Sequence, residues 1–238
     1  MATINQSRMD QLVNDAIEKR HREYQESTKE MHKWHCSVLS KESFWKFLKA
    51  NAEAFMAERG FVRSFTVDDD NRDTINQMYL YAAGFDDCKW DINKGIYMGG
   101  KVGCGKTILM HSFCEILHFI SGKTVEMFAA PDLCRMIAEK GFEPFATRPL
   151  FIDEVGREPM EMKAFGNTIH PIKELMAIRY NKGARTFFTS NFRVGSLSKW
   201  RDESGTLIGY GQDIGDRIRE MMNIVELPGE SRREISAK

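Results

Sequence analysis

Five side chains in this 238-residue sequence have the types and spacing to handle a phosphoanhydride: Lys106, Thr107, Asp153, Glu154 and Asn191. Gly100, four further residues and then Gly105-Lys106-Thr107 fit the phosphate-loop pattern GxxxxGK[ST]. Glycines at 100, 103 and 105 let the backbone turn tightly and aim amide N–H groups, that of Cys104 included, at phosphate oxygens. A helix opening at Gly105 adds its positive end. Lys106 then reaches the β- and γ-phosphates of ATP, and the Thr107 hydroxyl holds the magnesium ion that bridges them. Leu150-Phe151-Ile152 runs into Asp153-Glu154, an apolar strand ending in two acids. Asp153 suits the magnesium, mostly through water, and Glu154 suits the water that attacks the γ-phosphate. Thr186 to Ser190 repeats the design with a polar end, where Asn191 can sense the γ-phosphate or the water.

These groups need a scaffold that brings strand ends together. Ile96-Tyr97-Met98 before the loop reads as a buried strand, and Ile108, Leu109, Phe113, Ile116, Leu117 and Ile120 after it recur at helical spacing. Strand candidates follow at 124–129, 150–154, 185–190 and 224–227, with helices opened by Pro131 and Pro171 and a last one over 213–222. Alternating buried strands and helices predict an α/β fold, with a mainly parallel five-stranded sheet and helices on both faces. Ligands gather at the carboxyl ends of such strands.

Upstream of residue 95 the pattern is helical. Met9, Leu12, Val13, Ala16, Ile17 and Tyr24 form a thin apolar stripe among charges, which reads as a solvated helix ordered by a partner or as a tail. Ser40 caps a helix with a dense face of Phe44, Trp45, Leu48, Ala52, Phe55 and Met56, ended by Gly60, which either packs on the following module or docks a partner. Residues 61–67 read as an extended connector, and Asp68 to Asp70 as the cap of a helix that Gly84 ends. We divide the chain into a helical partner-binding region, 1–64, and an ATPase domain, 65–238.

Thirty-four basic and thirty-four acidic residues cancel, so any nucleic-acid binding must be local. No stretch nears the roughly 18 apolar residues that cross a bilayer, and no secretory leader is visible, so a cytoplasmic protein is expected. Five cysteines without a CxxC pair predict free thiols. His32, His35 and Cys36 lie close together but read as polar residues of a helix rather than a metal site. Asn181-Lys182-Gly183-Ala184 lacks the aspartate of a guanine-reading motif.

The order GGKVGCGKT, LFIDE, FFTSN, YGQDIGDRIREM and PGESRR resembles the AAA+ ATPases of the DnaC/IstB type, which include bacterial replicative helicase loaders and the ATPase subunits of insertion-sequence transposons. The resemblance spans Phe65 to Arg233. It implies a P-loop AAA+ core without a helical lid, binding ATP and magnesium, assembling into an oligomer or spiral, and hydrolysing ATP slowly under stimulation by assembly or DNA. By it Arg217 matches the arginine finger that acts on ATP in the neighbouring subunit, and Arg233 the second-sensor arginine, with Arg232 as the alternative. Cys134 to Lys140 corresponds to the single-stranded DNA contact, with Arg135 and Lys140 as its cations. The implied function is a helicase loader gripping a replicative helicase through its N-terminal helices. The alternative is a transposase regulator on double-stranded DNA.

Overall fold

A computed structural model describes residues 6–32, 34–164, 166–199, 201–202 and 204–233, with backbone only at 6–7 and 28–32. Five strands form one parallel sheet: β1 (Gly95–Gly100), β2 (Glu126–Ala129), β3 (Leu150–Val155), β6 (Thr186–Ser190) and β7 (Met222–Leu227), in the order β2-β3-β6-β1-β7. A two-residue period splits each strand between two cores. In β1, Ile96 and Met98 enter one core and Tyr97 the other; in β3 and β6, Phe151 and Phe187 go one way and Ile152 and Phe188 the other. Both faces are covered, which is why the central strands carry apolar runs, whereas the edge strands β2 and β7 include Glu126, Asn223 and Glu226.

On the first face lie α2 (Lys41–Ala57), α3 (Arg72–Ala83) and α4 (Lys106–Ser121). The aromatic face of α2 is spent on α4: Phe44 stands edge-on to Phe113 at 6.4 Å, Phe47 to Phe119 at 5.1 Å, and Phe55 stacks on His111 at 3.9 Å. Of the two fates open to this face, packing is the one observed, and Phe44 and Leu48 share a core with the helix that follows the phosphate loop. Ahead of them α1 (Gln6–His32) leaves Met9, Leu12, Val13, Ile17 and Tyr24 exposed. On the other face lie α5 (Ala130–Lys140), α6 (Pro171–Asn181), the four-residue α7 (Val194–Leu197) and α8 (Gln212–Met221).

Several expectations need correction. Asp68 to Asp70 do not cap α3; Asn71 precedes it, and the Asp68 carboxylate is drawn away by Arg232, whose Nη1 and Nη2 lie 2.5 and 2.8 Å from it. The end of α2 is as expected: its last helical residue is Ala57, and Gly60, at φ 80°, terminates it, its amide donating to Ala57 O and that of Phe61 to Met56 O, both at 2.9 Å. The antiparallel hairpin β4 (Met162–Ala164) and β5 (Asn167–Ile169) and the short α7 had no readable pattern, since three or four residues carry no periodicity. β2 and β6 begin later than expected and β7 earlier, because strand ends follow their neighbours' pairing. All five cysteines are free thiols. The His32 side chain lies outside the described residues; among those described, no three His, Cys, Asp or Glu side chains cluster as a metal site, and no helix is long and apolar enough to cross a membrane.

Candidate functional site

The strand order does the positioning. Because β6 lies between β1 and β3, its polar end is flanked by the phosphate loop on one side and the acid pair on the other. Lys106, just inside α4, is buried, and its Nζ donates to the carbonyls of Gly100 (2.8 Å) and Lys101 (2.7 Å) and to Asn191 Oδ1 (2.9 Å). Burial holds its pKa below the ordinary lysine value. Thr107 Oγ1 donates to Asp153 Oδ1 at 2.9 Å, and the hydroxyl of Thr189 donates to the same oxygen.

Glu154 is the one residue other than glycine with a positive φ, 58°, among the described residues. The β3–β6 register slips between Ile152 and Val155, and the Glu154 amide donates to Thr189 Oγ1 at 3.0 Å. Such a bulge re-aims a side chain, here turning Glu154 out of the strand's alternation and onto the cleft wall. Its carboxylate lies 3.7 Å from Arg157 Nη1.

Residues 229–233 fold back over the phosphate loop. Arg232 donates from its backbone to Gly103 O (3.0 Å) and from Nε to Cys104 O (3.0 Å), while its guanidinium grips Asp68. That pairing holds the Asp68 carboxyl below the usual carboxylate range. Gly103 has φ 84°, and a β-carbon there would collide with Ser231, so this close approach needs glycine on both counts.

Together these elements enclose a cleft of about 390 Å³. Gly103, Cys104, Gly105, Lys106, Thr107, Glu154, Asn191, Arg232 and Arg233 line one part; Met56, Arg63, Phe65, Thr66 and Asn71 line another. Cys104 contributes backbone there, since its thiol is buried toward Leu227 O at 3.8 Å. Gly100 lies under the loop, where its carbonyl takes Lys106. Arg232 is fixed by Asp68, whereas Arg233 is exposed at the rim.

Arg217 does not line this cleft; it sits on α8 with its guanidinium 5.2 Å above the Tyr180 ring. Arg135 is paired with Asp132, one turn away on α5, and Lys140 is exposed. A denser set of cations lines a second cleft of about 410 Å³ at the opposite end of the sheet, where Lys94, Lys123, Lys182 and Arg185 face Glu220.

Thr189, Asp68, Arg63 and Asn71 escaped the sequence reading. Thr189 lies inside a motif already singled out, so strand alternation alone could have pointed to it. The others reach the cleft only through the packing of α2 and α3 on α4, which leaves no local signal.

The residues fit a nucleotide with a hard divalent cation. Lys106 satisfies its charge with oxygens that phosphate oxygens can replace, and a hydroxyl and a carboxylate converge beside it as oxygen donors. A helix N-terminus faces the same space.

A five-stranded parallel sheet with the acid-pair strand separated from the phosphate-loop strand by a polar-tipped strand defines a P-loop AAA+ ATPase fold. No protein-family model matches the chain, and no curated protein matches it. Among solved structures it is similar to the DnaI, with 21% identity and a TM-score of 0.51, covering 71% of this chain and 87% of that one. A putative primosome component from Streptococcus pyogenes serotype M3 gives 17% identity and 0.51, covering 70% and 84%. The DnaC helicase loader gives 17% and 0.51, covering 79% of this chain and 100% of that one. The fold is the AAA+ fold of the DnaC type.

Proposed function

We propose that this chain is an ATP-dependent DNA-replication factor that loads a replicative helicase, with ATP binding as the switch and slow hydrolysis as the release. The observation that carries the nucleotide chemistry is the convergence of Lys106 with Asn191, and of Thr107 and Thr189 with Asp153, at neighbouring strand ends under a glycine-rich loop. On this reading Thr107 and Asp153 would hold magnesium, which would supply neutralisation of phosphate charge. Lys106 exchanges its carbonyl partners for phosphate oxygens, and Asn191, released from it, orients toward the γ-phosphate or the water. Glu154 accepts the water's proton as the oxygen attacks phosphorus and the bond to the ADP oxygen breaks.

Arg217 lies outside its own cleft, which supports a role in a neighbouring subunit's site and therefore an oligomeric active form. A finger of this kind is worth roughly a thousandfold or more in rate. Helicase loading is supported by the likeness to structures described as DnaI and a DnaC helicase loader, and by the uncovered stripe of α1 as a grip. For single-stranded DNA, the second cleft is a candidate surface beside Arg135 and Lys140: Lys94, Lys123, Lys182 and Arg185 line it, with Lys182 paired to Glu143 as Arg135 is to Asp132. A transposase regulator on duplex DNA shares the same nucleotide site and differs in its partner.

Nucleotide titration and phosphate release test the site. Lys106→Ala should lose ATP binding, whereas Glu154→Gln should bind ATP and stall; normal hydrolysis by both would refute the assignment. Capture of a helicase from cell extract in the presence of ATP tests the partner, and capture of a transposase instead moves the function to transposition.

A further inference from the structure

The phosphate-loop chemistry leaves one buried ionisable pair unused. Glu158, in the loop that follows the acid pair, is 5% exposed, and Tyr210, just before α8, is 2% exposed. The Tyr210 hydroxyl donates to Glu158 Oε1, and the Gly156 amide donates to Oε2 at 2.8 Å. Among the described residues no lysine or arginine forms an ion pair with this carboxylate. A buried carboxylate held only by neutral donors costs stability that an amide or an apolar side chain would not cost. Its position is what it offers.

On one side the pair is anchored beside the nucleotide site. Glu158 follows Glu154 by four residues, and Gly156 between them packs so closely on Phe192 that a β-carbon would collide with the ring. Phe192 directly follows Asn191, and its carbonyl accepts from the Tyr97 hydroxyl at 2.8 Å. Ser190 Oγ donates to Val155 O at 2.6 Å, tying the end of β3 to the tip of β6. On the other side Tyr210 leads into α8. Its amide donates to Leu197 O at 2.7 Å, the Gly211 amide to Lys199 O at 3.2 Å, and Gly215, one turn in, is pressed against Ser198. Arg217 follows two residues later.

We propose that Glu158 and Tyr210 are positioning residues that lock the placement of α8, and with it Arg217, to the acid-pair loop of the same chain. Each subunit thus holds the arginine it lends to its neighbour at a placement set by its own acid-pair loop. The inference rests on the reading of Arg217 as a residue acting in trans. It differs from that reading in predicting which subunit of a pair is affected.

Two chains with complementary defects separate the roles. A chain carrying Lys106→Ala binds no nucleotide and can only donate its arginine, while a chain carrying Arg217→Ala can only accept one. In equimolar mixtures, turnover arises where the two meet. Tyr210→Phe added to the donor chain should lower turnover at saturating ATP by about tenfold or more with KM unchanged, and added to the acceptor chain should alter it by less than about twofold. Glu158→Gln, which keeps the volume and an acceptor for the tyrosine but gives up the bond from Gly156, should give a smaller loss in the donor arm only. It serves as the readout if Tyr210→Phe does not fold. Equal loss in both arms, or no loss in the donor arm, overturns the proposal while leaving the trans arginine intact. Normal turnover by a homogeneous Arg217→Ala assembly overturns both.

Discussion

Asp153 Oδ1 receives two hydroxyls, those of Thr107 and Thr189, and the second of these also accepts the Glu154 amide. Thr189 is wholly buried, so its one hydroxyl fixes both the Asp153 carboxylate and the strained backbone of Glu154 beside it. Thr189→Val keeps the shape and removes the oxygen. It leaves the Glu154 amide without a partner, at a cost of about 1–3 kcal/mol in urea unfolding. On the proposed reading turnover should fall while ATP affinity, assigned there to Lys106 and the loop amides, changes little; a parallel loss of affinity would show that Thr189 acts on the loop instead. Thr189 sat in a legible strand motif, but which neighbour its hydroxyl meets depends on the β3–β6 register, and that is a property of two segments 35 residues apart.

At the scale of elements, the bulged end of β3 and the start of α8 meet through Glu158, and burial raises the pKa of that carboxyl. The titratable groups that face it are Tyr210, Tyr97 and Cys134; burial raises all three, the latter two to about 12, so they stay protonated over the acid range. A carboxyl whose folded pKa lies above its unfolded value of about 4.3 binds more protons in the folded state between the two values. Its contribution to stability therefore declines as pH rises from the unfolded value through the folded one. Urea titrations of wild type and Glu158→Gln should show the difference shifting in favour of Gln as pH rises above the ordinary carboxyl range. A difference independent of pH would mean that the carboxyl ionises as it does in water. The helices and strands of this region were legible from periodicity, apart from α7 and the hairpin, which are too short to have any.

At the scale of the whole molecule, α2 and α3 are built into the same core as α4, while α1 presents its apolar stripe to solvent. A truncation starting at Phe65 would therefore strip the cover from α4 rather than remove a separate grip, and substitutions on α1 are the cleaner probe. Leu12 and Ile17 are 51% and 48% exposed. Leu12→Asp with Ile17→Asp should leave the melting temperature and ATP binding unchanged and abolish helicase capture; retained capture would move the grip elsewhere. The strand order β2-β3-β6-β1-β7 also places the cleft at the phosphate loop and the second cleft at opposite ends of one sheet, so on the proposed reading a nucleotide and a nucleic acid would not compete for one surface.

The sequence by itself determined the phosphate loop, the acid pair, the polar strand tip and the parallel α/β class. Each of these is local: a glycine spacing, an apolar run with a charged end, or a repeat of two or 3.6 residues is written in consecutive positions. Only the tertiary structure decided that α2 belongs to the core, that Arg232 rather than a helix end claims Asp68, that Thr189 completes the acid site, and that Glu158 meets Tyr210. Those contacts join residues from 35 to 164 positions apart, and their partners are chosen by strand order and packing, which no single stretch of chain encodes.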